Sequence, residues 1–256
     1  MCGKCVALCP VGIESCGIKR AQRATLYNDI KHDYTYLHQA HHTPDSPAQP
    51  LPGTQAATGT LSASVQADAK LSGRGTASEK VLYFAGCMTH LTPSVIKNLT
   101  GIFESSGTEY VFADKDGGVC CGRPLILAGR EDAAKEVIAR NTELIRNSGC
   151  KKVVLSCPIC LKVLKEEYNL KGIELVHHTQ FINTLLEQGK IKVSPTAGSM
   201  VYHNPCELGR GCGIYKEPLN VLQQLGELKK AAKEGKESIC CGGSLGSLPG
   251  FGGNGL

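Results

Sequence analysis

Five cysteines of this chain follow a spacing that limits its possible folds. Cys87 is followed after 32 residues by the adjacent pair Cys120 and Cys121, and 35 further residues lead to the C-x-x-C pair Cys157 and Cys160. Adjacent cysteines seldom satisfy the geometry of a disulfide with each other. The spacing therefore predicts a fold that brings several thiols together for another purpose.

The same spacing begins a second time further along the chain. Cys206 precedes another adjacent pair, Cys240 and Cys241, by 33 residues, and glycine follows both adjacent pairs. The chain has 14 cysteines among 256 residues, and structural disulfides are rare inside cells. The grouping predicts metal or redox chemistry in a chain with an internal repeat.

Composition predicts a globular protein, with 41% hydrophobic and 20% charged residues. No apolar run reaches the roughly 18 residues of a membrane-spanning helix, and the N-terminus lacks the features of a signal peptide. The net charge is +5, and lysines are interspersed with acidic residues, which argues against a nucleic-acid partner. A cytoplasmic location is predicted, with attachment to the inner face of the membrane only through partners.

Short apolar segments alternate with helical patterns from residue 80 onward. Strands are predicted at 81–86, 109–113, 151–157, 173–178 and 200–206, and helices at 93–106, 130–149, 158–168 and 179–190. This alternation predicts an α/β fold with a mostly parallel sheet. Cysteines follow each of the first three strands, so one edge of the sheet should gather five sulfur atoms.

Four regions are predicted along the chain. Residues 1–40 contain the first cysteines and a helical pattern, whereas 41–79 are rich in Pro, Ser, Thr, Ala and Gly and have the composition of a flexible linker. Residues 80–195 would form the first cysteine repeat. Residues 196–256 would form a second, incomplete repeat.

The motifs FAGC, CCGRPLILAG, SCPIC and YHNPCELGRGCGIY, at these spacings, resemble the cysteine-rich CCG domain family over about residues 80–246. That family includes heterodisulfide reductase catalytic subunits and the iron–sulfur subunits of glycolate, lactate and glycerol-3-phosphate dehydrogenases. The resemblance implies short parallel sheets flanked by helices. In the heterodisulfide reductase branch it also implies a non-cubane [4Fe–4S] cluster at each complete motif. The implied ligands are Cys87, Cys120, Cys121, Cys157 and Cys160 for one cluster and Cys206, Cys240 and Cys241 for a second.

The N-terminal sequence CGKCVALCP resembles the end of a bacterial ferredoxin run, starting from its second cysteine. Cys2 and Cys5 would then bind one cubane [4Fe–4S] cluster and Cys9 another, with the remaining ligands upstream of Met1. Cys16 is a possible replacement ligand. The second repeat also ends before its own C-x-x-C pair. We therefore expect a fragment, truncated at both ends, in which a partial helical ferredoxin-like domain precedes the CCG repeats.

The function implied by the resemblance is that of an iron–sulfur electron-transfer subunit of an oxidoreductase, passing single electrons between cubane and CCG-bound clusters. In one branch the clusters reduce a disulfide. In the other they accept electrons from a flavin-containing dehydrogenase subunit and deliver them towards a membrane quinone or cytochrome. The complete first motif is consistent with both branches and does not distinguish between their functions.

Two alternatives remain open. The first is a zinc-binding module, although the familiar zinc spacing needs two C-x-x-C pairs about 15–20 residues apart. Here the pairs Cys2–Cys5 and Cys157–Cys160 are about 150 residues apart. The second alternative is a non-functional gene fragment.

Other reactive or charged residues are predicted to have structural roles. Cys150 should be a small buried hydrophobe, and Cys212 a structural or incidental thiol. The histidines beside the cysteine loops should have satisfied hydrogen bonds rather than relay protons, and the basic residues beside the first adjacent pair should be exposed. These residues are His90, His177, His178, His203, Lys115 and Arg123.

Overall fold

The computed structural model describes residues 80–195 and 198–241. The predicted ferredoxin-like segment 1–40 and the predicted linker 41–79 lie outside the described residues. The predictions for the N-terminal cysteines therefore also fall outside them; these are Cys2, Cys5, Cys9 and Cys16.

A four-stranded parallel sheet forms the centre of the described chain. Its strands are β1 (Val81–Phe84), β2 (Tyr110–Phe112), β3 (Lys152–Leu155) and β4 (Glu174–His177), and their order is β2-β1-β3-β4. The chain winds from β1 to β2 and then crosses back to β3 on the other side of β1. The winding direction therefore reverses between β1 and β3, and the carboxyl ends of such strands form the crevice in which α/β proteins bind ligands.

Six helices accompany this sheet. Three of them have proline in the first turn, where the missing N–H costs no helical hydrogen bond. The helices are α1 (Cys87–His90), α2 (Pro93–Ser105), α3 (Arg123–Ala128), α4 (Glu131–Asn147), α5 (Pro158–Glu167) and α6 (His178–Glu187).

The sheet is buried on both faces, as expected of parallel strands. Alternate residues of a strand point to opposite faces. Leu82 and Phe84 therefore pack with α3, α4 and α5, whereas Val81 and Tyr83 pack with α2 and α6. The result is a three-layer arrangement with the cysteine-bearing loops at one edge of the sheet.

The second repeat forms a smaller parallel pair, β5 (Ser199–Val201) and β6 (Glu227–Lys229). Helices α7 (Gly209–Cys212) and α8 (Lys216–Leu225) lie between these strands in sequence, and a 3₁₀ turn follows at Gly235–Glu237. Helix α7 contacts α5, and α8 contacts α6. The two repeats therefore pack against each other.

The predicted α/β class and the parallel sheet are confirmed. The first four predicted strands are present with shorter bounds, but the strand predicted at 200–206 ends at Val201 because β5 pairs only along three residues with β6. Five further elements were not predicted from the sequence: α1, α3, α7, α8 and β6. Within the described residues, no helix has both the length and the apolar character needed to cross a membrane.

Candidate functional site

The five cysteines of the first repeat meet at the carboxyl edge of the main sheet. Cys87 begins α1 just after β1, and Cys157 is the N-cap residue of α5 just after β3. Cys120 and Cys121 lie in the loop that connects β2 to α3. Since Phe84 of β1 pairs with Leu155 of β3, these loops emerge side by side at the switch point.

The thiols of this group form a continuous row of hydrogen bonds. Cys87 contacts Cys120, and Cys120 contacts its neighbour Cys121. Cys160 then contacts both Cys121 and Cys157. Three of the five side chains are buried, and Cys87 and Cys157 are half-buried. The fold therefore gathers five sulfur atoms in a row at the sheet edge, each next to at least one other, and removes three of them from water.

The pKa values of these thiols shift in opposite directions along the row. Hydrogen bonds from Cys120 and Cys160 hold the pKa of Cys121 well below its usual range. The hydrogen bond from Cys160, and backbone N–H groups at the start of α5, lower the pKa of Cys157 to about 7. Donation to Cys121 raises the pKa of Cys160. Cys121 and Cys157 are thus the thiols that most readily become thiolates.

Asp114 ties the loop after β1 to the loop after β2. Its buried carboxylate accepts hydrogen bonds from the backbone N–H groups of Ala85 at 3.0 Å and Gly86 at 2.8 Å. The His90 ring lies 3.2 Å from the same carboxylate. The Asp114 side chain therefore holds the segment that carries Cys87. Asp114 was not predicted as a site residue, although a polar residue just after β2 is a signal of a strand-end site.

Asn141 and Tyr168 donate hydrogen bonds to the backbone carbonyls of the adjacent cysteine pair. The Asn141 amide donates to the carbonyl of Cys120 at 2.8 Å and to the Tyr168 hydroxyl at 3.0 Å. That hydroxyl donates in turn to the carbonyl of Cys121 at 3.1 Å. Both side chains are buried. They come from α4 and from the end of α5, so no local sequence pattern indicates this contact.

Two glycines allow the cysteine loops to approach one another. A Cβ atom added to Gly118 would lie 2.7 Å from the Cα atom of Cys87. A Cβ atom added to Gly86, whose φ is +81°, would lie 2.8 Å from the sulfur of Cys160. Real Cβ atoms do not come this close to other heavy atoms. Glycine at both positions is therefore required for the sulfur atoms to meet.

The second repeat brings two of its cysteines together. The sulfur atoms of Cys206 and Cys240 are 3.6 Å apart, and Cys241 is exposed. The Arg210 guanidinium donates to the carbonyl of Ser238 at 2.7 Å and thereby holds the segment before the adjacent pair.

Both repeats match the model of a known protein family. The model of the CCG cysteine-rich domain matches residues 81–165 and 200–248. The chain belongs to the CCG family. The predicted resemblance is therefore confirmed. The two matched segments correspond to the first and second repeats, and we call them the first and second CCG motifs.

Several relatives of the chain are redox enzymes or parts of them. The chain is 32% identical over 177 residues to the EtfAB:quinone oxidoreductase of Syntrophomonas wolfei, covering 65% of this chain and 24% of that protein. It is 30% identical over 183 residues to one of the subunits of the dihydromethanophenazine:CoB–CoM heterodisulfide reductase of Methanosarcina barkeri, covering 67% of this chain and 44% of that one. It is 30% identical over 164 residues to an iron–sulfur protein of Methanocaldococcus jannaschii, covering 64% and 32%.

The chain spans less than half the length of these relatives, between 24% and 44%. No solved structure matches it. The relatives therefore support an iron–sulfur redox role at the level of the CCG family, and the activity of a whole enzyme is a matter of proposal.

Four further residues with predicted roles lie near the proposed cysteine ligands. Cys150 is buried in the main core, which confirms its prediction. Cys212 is half-buried, and its thiol donates to the carbonyl of Pro158 at 3.6 Å. Lys115 is exposed as predicted, but the prediction for Arg123 is wrong. Arg123 is mostly buried because it forms an ion pair with Glu207, 84 residues away.

The histidines beside the CCG motifs only partly follow their prediction. His90 pairs with Asp114, and His203 donates to the carbonyl of Ile239 at 2.7 Å. His177 Nδ1 accepts from the Thr179 backbone, so the neutral ring carries its proton on Nε2. Neither that Nε2 atom nor Nδ1 of His178 has a hydrogen-bond partner among the described residues. Burial lowers the pKa of His177 to about 3.

The donor chemistry of the first CCG motif fits a group with several metal ions. Thiolates are the protein ligands of iron–sulfur clusters, and five of them can bind different irons. In residues 80–195 and 198–241, no three His, Cys, Asp or Glu side chains are arranged around a point that one metal ion could occupy.

Proposed function

We propose that this chain is an iron–sulfur electron-transfer segment of a reductase of the heterodisulfide-reductase type. The first CCG motif would bind a non-cubane [4Fe–4S] cluster, and the second motif would supply three ligands of another. The proposed ligands are Cys87, Cys120, Cys121, Cys157 and Cys160 in the first motif and Cys206, Cys240 and Cys241 in the second.

One observation carries this proposal: the five thiols of the first CCG motif meet at the switch point of a parallel sheet. Ligands of such sheets bind at the carboxyl ends of the strands. Two of the five sulfur atoms have lowered pKa values, so thiolates for metal binding are available near neutral pH. No disulfide or single-ion site needs an adjacent cysteine pair together with three further thiols.

Each part of the chain has a defined task in this proposal. A bound iron–sulfur cluster accepts and donates single electrons. Asp114 holds the segment with Cys87 in place, while Asn141 and Tyr168 hold the backbone of Cys120 and Cys121. Three of the five thiols are buried at the sheet edge, which limits the access of water to them. The protein thereby fixes the positions of the ligands and shields them.

The relatives favour the disulfide-reducing branch of the CCG family. One of them is part of a heterodisulfide reductase, and the flavin-linked dehydrogenase branch receives no such support. Other redox subunits are the partners that we propose, in the cytoplasm or at its membrane face. Cys2, Cys5 and Cys9 would belong to cubane clusters that exchange electrons with the CCG motifs. A flavin-containing subunit, a quinone or a cytochrome is a further candidate partner, which would exchange electrons with these clusters.

The test is a metal and sulfide analysis of the full chain after anaerobic reconstitution. The wild type is compared with the Cys120→Ser, Cys121→Ser variant by iron content, acid-labile sulfide and EPR after reduction. Since a [4Fe–4S] cluster holds four irons, we expect the variant to lose about four irons per chain and the corresponding EPR signal.

The matched control is Cys150→Ser, because Cys150 is also buried but is not one of the proposed cluster ligands. It should keep the iron and sulfide content of the wild type. Stoichiometric zinc without sulfide in the wild type would contradict the proposal and favour a zinc module. An iron content that is unchanged in the Cys120→Ser, Cys121→Ser variant would contradict the assignment of these cysteines as ligands.

A further inference from the structure

An ion pair joins the first CCG motif to the second. Arg123 is the second residue after Cys121, and Glu207 directly follows Cys206. The Arg123 guanidinium donates to a carboxylate oxygen of Glu207 at 3.1 Å, and the two side chains are only 13% and 7% exposed. The pair is therefore largely withdrawn from water and connects the two groups of cysteines.

Both partners also act on the sulfur atoms of the first motif. The backbone N–H of Arg123 bonds to the Cys121 sulfur and helps to lower the pKa of that thiol. The Glu207 carboxylate lies close enough to Cys157 for the two side chains to interact electrostatically. The negative charge of Glu207, in the second motif, thus interacts with the sulfur atom of Cys157 in the first.

The packing around Glu207 leaves this carboxylate little freedom. A Cβ atom added to Gly211 of α7 would lie 3.2 Å from a carboxylate oxygen of Glu207 and 3.3 Å from the side chain of Lys162 in α5. Helix α7 thus holds the Glu207 side chain against the first motif. A buried ion pair gains little net stability over apolar residues, whereas removal of one partner leaves an uncompensated charge.

We propose that Arg123 and Glu207 are a positioning pair, which fixes the second CCG motif against the first and balances the charge that sets the reduction potentials of their clusters. The potential part of this inference rests on the proposed function. One-electron reduction adds a negative charge to a cluster. An unbalanced Arg123 would favour the reduced form, and an unbalanced Glu207 would oppose it.

The experiment compares three variants of the full reconstituted chain, Arg123→Gln, Glu207→Gln and the double variant. Redox titrations followed by EPR give the potential of the first-motif cluster, and urea denaturation gives the unfolding equilibrium constant. The matched control is Asp132→Asn, which breaks an exposed ion pair with Lys135 of the same 3.1 Å length. Exposed pairs contribute little to stability, so this control should resemble the wild type.

We expect the potential to rise in Glu207→Gln, to fall in Arg123→Gln and to return towards the wild-type value in the double variant. Each single variant should increase the unfolding equilibrium constant roughly a hundredfold, and the double variant should increase it by less than the product of the two single effects. A pair that only supports packing would change stability without opposite shifts of the potential.

Two failures are distinguishable. If the wild type binds iron and sulfide but the potentials of all variants coincide, the inference about the ion pair is overturned and the proposed function stands. If the wild type binds no cluster, the proposed function is overturned and the potential part of the inference falls with it, whereas the unfolding measurements still test the positioning part. Additive unfolding effects in the double variant would equally overturn the positioning role.

Discussion

Gly118 lies where the loop that carries the adjacent cysteines passes directly over Cys87. A Cβ atom at this position would meet backbone, 2.7 Å from the Cα atom of Cys87, so no side-chain rotation can relieve the contact. We predict that Gly118→Ala lowers the free energy of unfolding by about 1–3 kcal/mol, as overpacking does, and weakens iron retention. Urea denaturation and iron analysis after reconstitution measure these two effects.

Gly101 of α2 provides the control for this substitution. A Cβ atom at Gly101 meets nothing within 4 Å, so Gly101→Ala removes the flexibility of glycine from a helix without a contact. We expect it to raise the free energy of unfolding by about 0.5–1 kcal/mol. Equal effects of the two substitutions would show that the loop over Cys87 can move away, and that Gly118 does not set the distance between the sulfur atoms.

At the scale of the element, Tyr168 connects the end of α5 to the loop of the adjacent cysteines. Removal of its hydroxyl in Tyr168→Phe leaves the carbonyl of Cys121 and the amide of Asn141 without this partner in a buried site. We predict a loss of about 1–3 kcal/mol in the free energy of unfolding, measured by urea denaturation. We also predict faster loss of iron to a chelator, because the backbone of the adjacent pair is less constrained.

Tyr110→Phe is the matched control for Tyr168→Phe. The Tyr110 hydroxyl forms no hydrogen bond within the described residues, although its ring packs against Phe103 with centroids 4.8 Å apart. Removing this hydroxyl should change the free energy of unfolding by less than about 0.5 kcal/mol. If the two tyrosine variants retained iron equally well, the hydroxyl of Tyr168 would have no part in holding the cysteine loop.

The elements of the first CCG motif show how far the sequence alone could lead. The alternation of apolar strands with helical patterns predicts β1 to β4 and their helices, because period and length are local properties. The position of each cysteine after a strand then predicts their meeting at one sheet edge. This part of the site follows from the sequence without knowledge of any side-chain contact.

Some elements and contacts could not be predicted from local sequence, for physical reasons. Helix α3 begins immediately after the adjacent cysteines, where Gly122 adopts a left-handed φ of +88°, so the local pattern resembles a loop. Helix α8 has a local signal in Pro218, which lies in its first turn, and could have been predicted. The contacts of Arg123 with Glu207 and of Asn141 with Cys120 join distant segments, and no local pattern encodes them.

At the scale of the whole molecule, the two CCG repeats share a core. Leu208 and Ile214 of the second repeat are 2% and 5% exposed and belong to the same cluster of buried residues as Leu82, Phe84 and Leu161 of the first. The predicted boundary between 80–195 and 196–256 therefore divides two sequence repeats. The described parts of these repeats pack into one core and are not independent of each other. A domain with one core is expected to unfold in one transition.

This shared core leads to a prediction about cooperativity. Leu208→Ala leaves a cavity beneath the first repeat and should lower the free energy of unfolding by about 2–5 kcal/mol. Val201→Ala is the control in the same repeat, because Val201 is 61% exposed and its truncation should cost less than about 0.5 kcal/mol. The measurement is urea denaturation, followed both by circular dichroism and by hydrogen exchange of the amides in β1 and β3.

Independent repeats and a shared core give different results for Leu208→Ala. If the core is shared, both probes should show a single transition at a lower urea concentration, since the amides of β1 and β3 lose protection when the cavity forms in a distant part of the chain. If the repeats fold separately, the exchange of β1 and β3 should stay at its wild-type rate. The first result would also explain how a residue in the second CCG motif can affect the cysteines of the first, because one cooperative unit holds both.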